Sequence, residues 1–135
     1  METPDQVRHH IIDSLMARHP EGADAAIVLW EKLATEVISV VGEGGFDSLY
    51  ARSVFLSQPR FPWLAAGSSS PQAAHRFAPL KTSLAAQTPV QASEANRLLL
   101  TTFTDIVASL IGETLTTGIL RSAWAMSQRT RTARS

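Results

Sequence analysis

Apolar residues recur every three to four positions along most of the chain and nowhere alternate with polar ones over the length of a strand. Val7, Ile11 and Leu15, with Ile12 and Met16 beside them, give a first helix one apolar face. Thr3-Pro4-Asp5-Gln6 supplies its start, because Thr3 can cap, Pro4 suits the first turn and Gln6 completes a capping box. His19-Pro20-Glu21-Gly22 ends it. A second helix is predicted from Ala23 to Val41, with Ile27, Trp30, Ala34, Val37 and Val41 on its seam and Leu33, Ile38 and Val40 widening it. Gly42, Gly44 and Gly45 permit a tight exit, and a third helix then carries Phe46, Leu49, Tyr50, Ser53, Phe55 and Leu56 on its seam as far as Ser57.

Prolines interrupt the pattern next. Pro59 and Pro62 prevent a continued helix, and Gly67-Ser68-Ser69-Ser70-Pro71 has linker composition. Phe61, Trp63 and Leu64 are too apolar for a free loop and are expected to lie across the core as a lid. A fourth helix is predicted over residues 72–87, kinked or split at Pro79, with Phe77, Leu80 and Leu84 inward. Thr88-Pro89-Val90-Gln91 repeats the first helix start, and a long helix follows with Ala95, Leu99, Phe103, Ile106 and Leu110 on its seam. The last helix, from Thr114 to Ser127, is expected to bury Leu115, Ile119, Leu120 and Trp124.

One motif occurs twice. Residues 37–55 and 107–124 each hold an apolar run, a Gly-Glu pair, a second apolar stretch and a closing Arg-Ser, small residue and aromatic. The pairs are Gly42-Glu43 with Gly112-Glu113, and Arg52-Ser53-Val54-Phe55 with Arg121-Ser122-Ala123-Trp124. The predicted architecture is therefore an all-α bundle of five or six helices with an internal pseudo-repeat, helix–Gly-Glu–helix, over residues about 23–57 and 90–127. Residues 1–127 form one helical domain in this reading, and 128–135 a flexible basic tail.

Within each motif the Glu and Arg lie nine or eight residues apart, about 13 Å along a straight helix, too far to pair. Twofold packing of the two units would instead favour crossed pairs, Glu43 with Arg121 and Glu113 with Arg52. The motif thus nominates Glu43, Arg52, Glu113 and Arg121 as a structural polar clamp, with a polar patch at a pocket or partner surface as the functional alternative.

Composition narrows the function classes. With 135 residues, twelve basic and twelve acidic, the chain has no net charge to draw nucleic acid or an anionic membrane. The tail arginines Arg129, Arg131 and Arg134 have no interleaved aromatics, so nucleic acid is not an expected partner. The absence of cysteine removes disulfides, thiolate catalysis and Cys-ligated metals. No apolar run is long enough to span a bilayer and no signal-peptide pattern opens the chain, so a soluble cytoplasmic protein is expected.

Catalytic candidates are few. His9 and Asp13 share a helix face and could form a base–carboxylate pair, but no HExxH or Glu-x-x-His supplies further ligands, so no metal is expected. A solvated polar face is the plainer account. His75, in Ala74-His75-Arg76-Phe77-Ala78-Pro79-Leu80-Lys81, resembles the His-x-Leu-Lys-Gly surroundings of histidine phosphotransfer domains, helical bundles with an exposed phospho-accepting His. It departs from them in Phe77, in Lys81 lying six residues on rather than three, and in Pro79. There is no Gly-x-Ser-x-Gly elbow, and GEGGF lacks the Lys and Ser/Thr of a phosphate loop. No cofactor is implied.

These patterns point to a non-enzymatic interaction or regulatory module that acts through protein–protein contacts. The apolar seams are wide for one small bundle, so a homodimer is expected. The alternative is a helical domain that senses a small apolar ligand beneath Phe61, Trp63 and Leu64, which are the candidate ligand- or partner-contacting residues; a histidine phosphotransfer-like or other enzyme ranks below both.

Overall fold

The computed structural model describes residues 4–18, 23–64 and 77–133, with side chains over 6–17, 25–64 and 77–124. Among the described residues there are five helices and no strand: α1 (Pro4–Arg18), α2 (Ala23–Ser57), α3 (Ala78–Ala85), α4 (Pro89–Ile111) and α5 (Glu113–Ala133). None of them is long and apolar enough to cross a membrane. The chain is an all-α bundle.

The two Gly-Glu corners share one backbone conformation. Gly42 breaks α2 at φ 83, ψ 166, and Gly112 separates α4 from α5 at φ 99, ψ 155. This region is open essentially to glycine alone, so an L-residue there would cost about 1–3 kcal/mol even though no neighbouring atom blocks a Cβ at either site. The break in α2 reverses the chain. Trp30 and Tyr50 lie twenty residues apart, which a straight helix would spread over about 30 Å, yet their ring centroids are 5.3 Å apart. The first limb of α2 (23–41) and its second limb (43–57) therefore fold back on each other.

At the centre Trp30, Phe46, Tyr50, Phe77 and Phe103 pack ring against ring with centroids 5.3–6.0 Å apart. Edge-to-face and tilted arrangements dominate, the geometry that aromatic quadrupoles favour. α4 runs through the middle and packs on all four other helices. Its buried Ala95, Leu99 and Phe103 lie on the predicted seam, but the buried stripe then runs through Val107 rather than Ile106 and Leu110, which are half-buried and exposed. Asn96, buried on the same helix, accepts the indole N–H of Trp30 at 2.7 Å, so neither polar group is stranded in the core. Thr88 caps α4 as its sequence predicts, accepting from the Gln91 amide at 3.2 Å.

Several boundaries and faces differ from the sequence reading. Pro79 neither kinks nor splits a helix but sits in the first turn of α3, where its missing N–H costs nothing; 72–76 lie outside the described residues. The backbone of α5 continues past the predicted end at Ser127 to Ala133. Phe55, Leu56, Val40, Leu110 and Leu115, all placed inward by periodicity, are exposed. In α5 the buried stripe passes through Thr116 instead of Leu115, because the Thr116 hydroxyl donates to the Gly112 carbonyl at 2.7 Å and enters the interior already satisfied.

Candidate functional site

The strongest polar constellation joins α1 to the second corner. Arg8 lies four residues before Ile12 and seven before Leu15, so it shares their buried face and is only 2% exposed. Its guanidinium reaches Asp105 Oδ1 on α4 at 2.9 and 3.0 Å and Glu113 Oε2, at the start of α5, at 3.3 Å. Asp105 Oδ1 also meets His9 Nε2 at 3.0 Å. One arginine thus bridges two carboxylates and fastens three helices. Glu113 is further favoured by standing in the first turn of α5, where a helix end attracts negative charge.

Chemically this arrangement is an anchor. The Asp105 oxygen that faces His9 already receives two guanidinium nitrogens, so its acceptor capacity is committed to holding Arg8. The position between the carboxylates is filled by Arg8, and no group of three or more potential ligands for a metal occurs among the described residues.

The proposed clamp is not assembled. Glu113 pairs with Arg8 rather than Arg52. Glu43, Arg52 and Arg121 are exposed and form no ion pair with one another. The physical reason is that α1, outside both motifs, places Arg8 at the second corner and so supplies Glu113 with a cation there. Arg8 carried a legible signal, a lone cation in line with Ile12 and Leu15. Asp105 carried none, since its partner lies 97 residues away.

His9 has a carboxylate partner, but it is Asp105 and not Asp13, which instead approaches Arg97 at 3.7 Å on the surface. His75 lies outside the described residues. Phe61 and Leu64 are buried and Trp63 is half-buried against the core. The Phe61 and Trp63 rings meet at 5.7 Å, and Gln58 Nε2 donates to the Leu64 carbonyl at 2.9 Å, closing the turn on itself. The segment is anchored to its own core.

What the fold leaves outside is apolar. Phe55 is 70% exposed and Leu110 61%, with Val28, Val40, Leu56, Val90 and Leu115 also open to solvent. Isolated exposed aliphatics are ordinary, but a phenylalanine this open, next to Leu56 on the same limb, is not. No known protein family, curated relative or solved structure matches the chain, so these geometries stand alone as the guide to its role.

Proposed function

We propose that the chain is a non-enzymatic, cytoplasmic interaction module that works through protein–protein contacts, including contacts with a second copy of itself. The observation that carries this reading is Phe55, a large aromatic 70% exposed beside Leu56 on a domain whose centre is already filled by five packed rings. Burying such a side chain is worth about 1.5–3 kcal/mol, a gain the folded monomer does not collect. Arg8, His9 and Asp105, a polar cluster among the described residues, are engaged in holding helices together. Phe61 and Leu64 are committed to the core, which favours the interaction reading over a ligand-sensing one.

Sedimentation of the purified protein over a range of concentrations tests this. The expected result is a concentration-dependent rise from monomer to dimer mass that Phe55→Ser weakens at least tenfold. A wild-type chain that stays monomeric up to millimolar concentration removes self-association from the reading.

A further inference from the structure

The second limb of α2 gathers its outward side into one stripe. Gly44, Ser48, Arg52, Phe55 and Pro59 fall four, four, three and four residues apart, the spacing of a single helix face, and all five are exposed. Hydrogen bonds from the Gln58 amide to the Val54 carbonyl and from the Phe61 amide to the Ser57 carbonyl, both at 3.0 Å, carry the helical course past Ser57. The other side of the limb holds buried Phe46, Tyr50, Ser53, Val54 and Ser57, so the stripe points away from the core. From Gly44 to Phe55 it runs about 16 Å, three turns.

Shape and charge both specify what fits there. The first turns present only small groups, Gly44 and Ser48, with exposed Ala51 beside them. A Cβ at Gly44 would meet nothing within 4 Å, so the space over that turn is open. Small side chains let a second helix approach to the near end of the range of about 8–10 Å at which helices pack. Phe55, 70% exposed, stands at the end of this trough, with Leu56 exposed at its edge. Arg52 lies between trough and ring. It makes no ion pair among the described residues, and no acid occurs from Ser48 to Leu64. The acids of the limb, Glu43 and Asp47, are each one position, about 100°, round the helix from the stripe. The stripe itself is cationic and apolar. Backbone groups inside the limb are spent on its own helix, so recognition falls to side chains and the element that fits is another helix.

We propose, on the protein–protein reading above, that this stripe docks an acidic amphipathic helix of a partner protein. Large aliphatic side chains of that helix, recurring every three to four residues, fill the space over Gly44, Ser48 and Ala51 and receive the Phe55 ring. An Asp or Glu beside them meets the Arg52 guanidinium, a charge-assisted contact that a Lys-flanked helix replaces by repulsion. Aromatic and arginine anchors of this kind carry most of the energy of protein interfaces. A second copy that uses Phe55 competes with the helix for the same ring.

Peptide selection tests the pairing. A displayed library of helical peptides about four turns long has Leu fixed along one face and each flanking position free to be Glu, Lys or Gln. It is selected on the full chain and counter-selected on Phe55→Ser. Glu is expected to be enriched over Lys on the flanks. A selected peptide, followed by fluorescence anisotropy, is expected to bind at least tenfold more weakly to Arg52→Glu and to Ser48→Trp, both checked for helicity by circular dichroism. Replacing its Glu residues by Lys is expected to restore binding to Arg52→Glu. Arg121→Glu, the same charge change on α5, leaves the affinity within twofold. Flanks enriched in Lys or Gln, an affinity indifferent to Arg52→Glu, or no Phe55-dependent peptide at all overturns the acidic helix as occupant. A Phe55-dependent dimer that the selected peptide does not dissociate gives the stripe to a second copy and leaves the interaction reading intact. When neither a dimer nor a peptide depends on Phe55, the interaction reading falls as well.

Discussion

The two Gly-Glu units start from the same backbone device and end in opposite environments. Both corners turn on a glycine with positive φ and extended ψ, Gly42 and Gly112. Beyond the corner they diverge. Glu113 is held by buried Arg8, whereas Glu43 is exposed and unpaired. The closing aromatic of the second unit, Trp124, is 6% exposed and donates its indole N–H to the Leu29 carbonyl at 3.2 Å; that of the first, Phe55, is 70% exposed. A similar stretch of sequence therefore builds interior in one place and surface in the other. The difference comes from the neighbours: α1 covers the second corner, and no helix among the described residues closes over Phe55 in the same way.

The largest test of this contrast is truncation of the two aromatics. Trp124→Ala removes a buried ring and its hydrogen bond and is expected to cost about 3–5 kcal/mol in urea unfolding. Phe55→Ala, measured in dilute monomer, is expected to change stability by less than about 0.5 kcal/mol. Equal losses at the two positions would mean that Phe55 belongs to the core after all.

A smaller effect is expected at the corners. Arg8→Met leaves Asp105 and Glu113 without their shared cation. Their side chains are 46% and 32% exposed, so water takes over part of the role. The loss is expected at about 2 kcal/mol, below the 3–5 kcal/mol of a wholly buried broken pair. Glu43→Gln should leave the unfolding midpoint unchanged. If Glu43→Gln proved as harmful as Arg8→Met, the first corner would have a polar anchor of its own.

The last contrast is silent at neutral pH. Two residues before the arginine the first unit has Tyr50 and the second Ile119, both buried. Burial opposes the phenolate and raises the Tyr50 pKa well above its usual value. In the unfolded chain the phenol ionises near about pH 10, while in the folded one it keeps its proton. Stability from this group is thus complete below about pH 10 and falls as pH rises further, by at most about 1.4 kcal/mol per pH unit. Tyr50→Phe should flatten this alkaline decline and leave the pH 7 midpoint nearly unchanged. An unaltered alkaline limb would place the sensitivity elsewhere.

The candidate surfaces were legible to different degrees. The Phe61–Leu64 segment could be read as core-seeking because three large apolar residues between prolines rarely face water, and it is anchored. The Arg8 latch was missed although Arg8 stands on the Ile12 and Leu15 face, because a cation in an apolar stripe reads as a flank until its acceptors are seen. The Glu–Arg clamp was inferred from repetition alone. Repetition constrains backbone conformation far more tightly than it constrains which charges meet.

Periodicity and turn chemistry by themselves determined the all-α class, the Thr88 cap and the corners at Gly42 and Gly112, although Gly44 and Gly45, also expected at the first exit, are helical. These follow from forces that act within a turn or two of the chain: φ preferences, capping bonds and the spacing of apolar side chains. Only the tertiary structure decided that Glu113 belongs to Arg8, that Asn96 receives Trp30, and that Trp124 is interior while Phe55 is not. Those outcomes depend on which helix faces which, and an apolar seam wider than the contact its neighbours can offer leaves part of itself to solvent or to a partner.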